Sequence, residues 1–317
     1  MQIIERFDAI DLSSAKKPVW LTIGVFDGLH IGHRELMRLI TEGASASGGT
    51  SVVFTFREHP LTLLAPPHAP RRLVTLRRRR QLLQTLGVDV LIEIPFTRDF
   101  AAIEARDFIA DVLVKRCHVA HVTCGSNFRF GRDGRGDTAL LGRHAARHGF
   151  TAHPLPEVRF GPSTASSTAI RDMVMQGAVE RAAEALRRPF ELEGTVVHGD
   201  GRGRLLGFPT ANVEPAEGLI LPAHGVYAAM VRTGDLDDHA TPSYPAMVNI
   251  GVRPTFGGRR SVIEAHLLDF SGDLYDRPIE VSFIRRLRGE KPFAGADALV
   301  AQLRVDEQET REALGVT

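Results

Sequence analysis

The sequence predicts an α/β chain of two domains: a Rossmann-like N-terminal domain with a parallel sheet, then a C-terminal antiparallel β-barrel closed by a terminal helix. Three observations carry this expectation. At 317 residues the chain is long enough for two domains. The first half alternates short apolar runs with helical patterns, whereas the second half alternates strand-like runs with turns. Between them, the alanine-rich pattern from Ala178 to Arg188 ends at Pro189, which puts the boundary near Arg187 and gives domains of 1–187 and 188–317.

Composition narrows the class. With 43% hydrophobic residues there is ample material for a core. No apolar run approaches the roughly 18 residues of a membrane span, so no membrane association is expected. A net charge of +1 argues against a general nucleic-acid binder. The start, Met1-Gln2-Ile3-Ile4-Glu5, lacks a basic stretch followed by an apolar export core, so the expected location is the cytoplasm. Nothing in the pattern specifies an oligomeric state. Cys117 and Cys124 read as buried small hydrophobes. The run Arg77-Arg78-Arg79-Arg80 reads as the solvated face of a helix whose other face carries Leu76, Leu82, Leu83 and Leu86.

The first half is organised around Gly24-Val25-Phe26-Asp27-Gly28-Leu29-His30-Ile31-Gly32-His33. Val19 to Ile23 before it is an apolar, partly β-branched run of the buried parallel-strand kind. After it, Leu36, Met37, Leu39, Ile40 and Ala44 are spaced to give a helix one apolar face. A strand-to-helix turn presents unpaired N–H groups and a partial positive charge to a phosphate. Gly28 and Gly32 let backbone come close, and His30 and His33 can donate to phosphate oxygens during transfer at phosphorus. Helix capping and metal ligation are the bland readings of two such histidines; a zinc pair would need two further ligands nearby. Taken whole, the motif resembles the signature of the nucleotidyltransferase superfamily of adenylyl-transferring enzymes, and marks Gly24, Phe26, Asp27 and Gly32 as nucleotide-binding.

Further runs follow at Ser51 to Phe56, Val88 to Ile94 and Val119 to Cys124, with helical patterns at Leu76 to Leu86 and Glu104 to Lys115. Right-handed crossovers put the loops after these strands on one edge of the sheet, where ligands of such folds bind. Phe54 to Pro60 and Gly125 to Gly131 are two of those loops, and their aromatics could stack on a flat ring or pack among themselves. Asn127 can hydrogen-bond a base or a phosphate. His59 reads equally as a structural loop residue. Gly131 to Asp137, glycine-rich and charged, suits a mobile flap.

A second phosphate element is expected at Ser163 to Arg171, where Ser167 or Thr168 would cap a helix and Arg171 adds a fixed cation. Together the two signatures resemble the adenylyltransferase domain of bacterial bifunctional riboflavin kinase/FAD synthetases.

In the second half, strand-like runs at 190–197, 225–231, 246–250, 262–268 and 279–284 suggest the antiparallel barrel, and a helical pattern from about Ala296 to Leu314 closes the chain. Gly199 to Asn212 is a glycine-rich loop entering a polar strand. Gly201, Gly203 and Gly207 would let backbone N–H groups wrap a polyphosphate, with Arg202 and Arg204 as partners. Thr210 and Asn212 project oxygens on one face of an extended strand, suiting the magnesium that enters with ATP. With Val248 to Phe256 and Glu264 to Phe270, this loop is similar to the riboflavin kinase domain of the same family. That resemblance implies that Thr210 and Asn212 hold the magnesium of ATP, that Glu264 is the base for the ribityl hydroxyl, and that Leu287 to Phe293 flanks the flavin. Arg57-Glu58-His59-Pro60 and Pro292 depart from the family's pattern.

The resemblance covers nearly the whole chain. It implies a two-step enzyme in which the barrel makes FMN from riboflavin and ATP and the first domain converts FMN and ATP to FAD and pyrophosphate, both with Mg²⁺. The transfer to FAD is attack by the FMN phosphate on the α-phosphorus of ATP, with His30, His33 and Arg171 holding charge. A phosphate nucleophile is already ionised and needs no general base.

Overall fold

The computed structural model describes residues 1–199, 201–238, 240–255 and 258–316, and the side chains of these except Arg202 and those within 253–260. Phe256, part of the barrel resemblance, and the Arg202 side chain, expected as a phosphate partner, therefore lie outside the described residues. By packing, the chain divides into two compact units, residues 1–70 with 76–165 and residues 71–75 with 166–317.

The first unit is an all-parallel sheet of six strands in the order β1-β4-β3-β2-β5-β6, namely β1 (Gln2–Ile4), β2 (Val19–Ile23), β3 (Thr50–Phe56), β4 (Val90–Ile94), β5 (Val119–Gly125) and β6 (Thr151–Leu155). Both faces are covered, so β3 and β4 are buried along their whole length, as continuous apolar runs require. The helices are α1 (Ile31–Ser47), α2 (Pro60–Leu64), α3 (Leu76–Thr85), α4 (Arg98–Ala101), α5 (Ala105–Asp107) and α6 (Thr138–His148). Helix α1 buries Leu36, Met37, Ile40 and Ala44 and stops at Gly48, whose φ of 65° is the left-handed cap that glycine adopts without penalty. Helix α5 continues into a wider π-type turn over Phe108–Arg116, closed by Cys117 N–H to the Val112 carbonyl at 2.9 Å. A small hairpin, β7 (Arg159–Phe160) and β8 (Ser163–Thr164), ends the unit.

Strand order reverses between β2 and β5, whose carboxyl ends therefore flank the crevice where open α/β sheets bind ligands. Gly24 follows β2 and Asn127 follows β5, so the fold brings these two expected ligand residues to the switch point.

The second unit contains α7 (Ser167–Met175), α8 (Val179–Leu186) and a closed barrel in the order β10-β13-β12-β11-β14-β9, every pair antiparallel. Its strands are β9 (Phe190–Val197), β10 (Ala211–Pro215), β11 (Gly225–Thr233), β12 (Ser243–Thr255), β13 (Gly258–Leu267) and β14 (Pro278–Arg288); α9 (Arg202–Leu205) sits in the glycine loop and α10 (Ala296–Leu314) follows the barrel. Period-two alternation aims Ile263, Ala265 and Leu267 into the core and leaves Glu264 and His266 half-buried on the other face. Closure removes the edge strands.

The packing division at Ala165/Ser166 falls earlier than the expected boundary at 187. Helix α8 buries Val179, Ala182, Ala185 and Leu186 and packs on β14 and β9, while the Arg286 N–H donates to the Glu180 carboxylate at 3.1 Å. Residues 71–75 also belong here: Arg72 N–H donates to the Gly218 carbonyl at 2.8 Å, and the Thr75 hydroxyl to Glu193 at 2.8 Å.

Candidate active sites

In the first unit the turn after β2 is tightly built. Gly28 has φ 79° and Leu29, fully buried, has φ 48°, a left-handed pair that reverses the chain into α1. Phe26, Asp27 and His30 are buried beside it. A Cβ on Gly24 would sit 3.2 Å from the Phe26 ring, and one on Gly32 would sit 3.2 Å from the His30 ring, so both glycines are placed by close approach.

His30 is the N-cap of α1: its Nδ1 accepts from the N–H groups of Gly32 at 3.2 Å and His33 at 3.4 Å. Capping and phosphate chemistry are thus not rivals here. A ring whose Nδ1 accepts carries its proton on Nε2, which fixes a donor. The His33 ring stacks on His30 at 3.7 Å and meets the edge of Phe26 at 5.1 Å. Among the described residues no group of three or more His, Cys, Asp or Glu is arranged to hold a metal, so the two histidines have no companions for a zinc site.

Beside Gly24 a cavity of about 240 Å³ is lined by Phe56, Phe96, Phe100, Phe108, Phe128 and Phe130. The loop aromatics do meet, Phe128 stacking on Phe130 at 5.4 Å, but Phe96, Phe100 and Phe108 of the cavity wall lie outside the two loops that the sequence singled out. Asn127 is exposed at the end of β5. His59 is structural: it caps α2, its Nδ1 accepting from Leu61 N–H at 3.1 Å ahead of Pro60 in the first turn. The segment expected as a flap is held by reciprocal bonds between Phe130 and Gly136 and by Arg132 N–H to the Ile103 carbonyl at 2.7 Å.

The four-arginine run departs from expectation. Arg79 is buried, and its guanidinium binds the fully buried Glu93 of β4 at 2.6 Å and the Phe56 carbonyl at 2.7 Å, while Arg80 bridges Glu93 and Glu5. Arg79 and Arg80 are the counter-charge of a buried carboxylate, because an unpaired Glu93 would be costly in the core. Both cysteines are free and buried, and burial pushes their thiols up to about 12.

The cap of α7 is Ser166, not Ser167 or Thr168. Its backbone is extended and its hydroxyl accepts from Ala169 N–H, three residues on, at 3.1 Å. Ser167 and Thr168 occupy the first turn, half-buried and exposed respectively. Arg171 is buried, its Nε donating to the Arg71 carbonyl at 2.7 Å, and all of these residues lie in the second unit.

That unit holds two cavities on the barrel. One of about 430 Å³ is lined by Gly203, Phe208, Asn249, Glu264, His266 and Phe293 among others; one of about 560 Å³ by Arg204, Pro209, Phe270 and Tyr275 among others; Thr210 lines both. Glu264 stands opposite Asn212 in one ladder and Asn249 in the next, and His266 Nδ1 lies 2.7 Å from the Pro209 carbonyl. Gly201 and Gly207 have φ of 67° and 83°. Gly203 is fixed by space, since a Cβ there would lie 2.3 Å from the Phe208 carbonyl.

A doubly wound sheet with a helix-capping histidine turn, followed by a barrel with two cavities meeting at a threonine, defines a nucleotide-dependent transferase with two separate sites. The family model described as FAD synthetase matches residues 12–169, and that described as riboflavin kinase matches residues 186–314. The bifunctional riboflavin kinase/FMN adenylyltransferase of Escherichia coli (strain K12) is 41% identical over 94% of this chain and 93% of its own, and that of Listeria monocytogenes 32% identical over 92% and 91%. A crystal structure described as a macrolide-efflux protein from Streptococcus pneumoniae superposes with a TM-score of 0.86 at 30% identity, covering 98% of each chain. Among the described residues here, no helix is long and apolar enough to cross a membrane.

The chain belongs to the bifunctional riboflavin kinase/FMN adenylyltransferase family. It is an enzyme of flavin cofactor synthesis, phosphorylating riboflavin to FMN with its C-terminal part and adenylylating FMN to FAD, with release of pyrophosphate, with its N-terminal part; ATP and Mg²⁺ serve both steps.

Proposed function

We propose that phosphoryl transfer to riboflavin takes place at Thr210, with riboflavin in the 430 Å³ cavity and ATP in the 560 Å³ one. The observation that carries this reading is that Thr210 lines both cavities while Glu264 lines the first. The ribityl hydroxyl oxygen attacks the γ-phosphorus, the bond to the β-phosphate oxygen breaks, and the hydroxyl proton passes to Glu264. Thr210 and Asn212 would hold Mg²⁺ through a hydroxyl and an amide oxygen, hard donors that fit the ion but are too few to hold it without the ATP that brings it. The ion would supply charge neutralisation at the phosphates. Gly201, Gly203, Arg204 and Gly207 shape the loop for the polyphosphate.

For FAD synthesis, the phenylalanine cavity takes the flavin ring of FMN, and the turn from Gly24 to His33 takes the ATP phosphates, with Asn127 at the switch point. The FMN phosphate attacks the α-phosphorus and pyrophosphate leaves, and His30 Nε2–H and His33 stabilise the charge. We place both reactions in the cytoplasm.

Glu264→Gln tests the kinase assignment, because it keeps size and hydrogen bonding but cannot take the proton. Riboflavin phosphorylation should lose about a hundredfold in kcat, the lower end of general-base contributions, with KM for riboflavin changed far less and FMN adenylylation intact. A near-normal kcat would remove Glu264 as the base.

A further inference from the structure

The wall of the 430 Å³ cavity includes Arg288, Glu290, Lys291 and Phe293, from the segment that leaves the barrel at the end of β14. Arg288 is the last residue of this strand with a ladder partner, Val226, so beyond it the segment depends on side chains for its position.

Those side chains meet α10. Arg288 forms a two-pronged pair with Asp306, Nε to Oδ1 at 2.9 Å and Nη2 to Oδ2 at 2.6 Å, and the Asp306 carboxylate is fully buried. One turn earlier on the helix, Gln302 donates from Nε2 to Asp306 Oδ1 at 2.7 Å and accepts on Oε1 from Lys291 Nζ at 2.5 Å. Only an amide satisfies both neighbours: a carboxylate at 302 would face the Asp306 carboxylate, and an apolar side chain would serve neither. Arg288 and Lys291 lie over Phe293, 5.7 and 5.5 Å from its ring centroid, so the latched cations also set this aromatic wall.

We propose that Gln302 and Asp306 are positioning residues of the riboflavin kinase: through Arg288 and Lys291 they hold residues 288–293 as one wall of the flavin cavity. Gln302 is the relay, coupling the buried ion pair to the lysine at the lip. The inference rests on the assignment of this cavity to riboflavin. Its consequence is a role in flavin affinity rather than in the chemical step, since neither residue lines the cavity that Thr210 and Glu264 line.

The test is a double-mutant cycle in the full chain, Gln302→Ala, Lys291→Met and the pair, read by steady-state riboflavin phosphorylation with FMN adenylylation and thermal midpoint as controls. Each single change should raise the riboflavin KM about five- to tenfold, less than the full worth of a charge-assisted bond because the pair is partly exposed, with kcat within about twofold. The double variant should be no worse than the larger single, because both changes break one contact. Unmoved KM in both singles, rises that multiply in the double variant, or a fall in kcat at unchanged KM would each overturn the latch. An unaltered chain that forms no FMN would instead overturn the assignment beneath it, whatever the variants do.

Discussion

His30 holds two roles that substitution can separate. His30→Ala removes the cap of α1 and the Nε2–H donor together, so the protein should lose about 1 kcal/mol of stability and FAD synthesis should fall about a hundredfold or more. His30→Asn can still cap through its side-chain oxygen, so chemical denaturation should show near-normal stability while FAD synthesis stays low. Recovery of activity in the Asn variant would reduce His30 to a cap. A second histidine makes a pH-dependent prediction. His121 stacks on Trp20, the single tryptophan, at 3.7 Å and faces His153 with 3.2 Å between ring nitrogens. Burial, then the neighbouring His153, holds the His121 pKa below the usual histidine value. A depressed value means the unfolded chain takes the proton first, so this contribution to stability is present above the ordinary value of about 6.5 and fades as pH falls through it toward the folded value. Trp20 emission and the unfolding midpoint should both shift between about pH 7.5 and 5.5, and His121→Asn should flatten the change; an equal slope in the variant would remove His121 as its source. At this scale the sequence was legible where spacing is local. The histidine turn could be read because strand, glycines and helix are contiguous, whereas the cap at Ser166 was ambiguous among consecutive hydroxyls and was settled by backbone angle at one residue.

Elements with a strong period were legible and elements defined by a partner were not. Helix α10 spans Ala296–Leu314 as its pattern indicates, and β2, β3, β4, β5 and β9 lie close to their apolar runs. Strands β1 and β6 lie at the sheet's two edges and carry no continuous apolar run, so their pairing rather than their composition makes them strands. The basic run on α3 was misread for the same reason: the partner of Arg79 and Arg80 is Glu93 in the next strand, β4, and periodicity says nothing about who pairs with whom. The pairing yields a sharp expectation. Arg79→Met should cost about 3 kcal/mol in urea denaturation, the lower end of the penalty for breaking a buried pair because Arg80 still meets Glu93, and the double change Arg79→Met with Glu93→Leu should recover much of it. A loss of under about 1 kcal/mol in the single variant, the scale of an exposed pair, would mean the network is worth no more than a surface contact.

For the molecule as a whole, α7 and α8 pack with the barrel although the alanine-rich helix reads in sequence as the end of the first domain. Low-complexity composition marks a helix but not the surface that it covers. We expect a fragment of 166–317 to be more stable than one of 188–317, which exposes the barrel surface under Val179, Ala182, Ala185 and Leu186; at about 25 cal/mol per Å² of apolar area, the urea midpoints should differ clearly. Equal midpoints would support the boundary at 187. In the other half, FAD formation from added FMN by a fragment of 1–165, which lacks Arg171, would remove that residue from the adenylyl transfer. Residues 71–75 bear on any such cut, since the chain passes between the two units at 70/71, 75/76 and 165/166. Modules joined end to end would exchange freely between relatives by recombination at one junction. Here a graft that swaps only 166–317 sets Arg72 and Thr75 against foreign partners in place of Gly218, Glu217 and Glu193. A transplantable kinase half is therefore two pieces of coding sequence, and the short one lies inside the gene region for its neighbour.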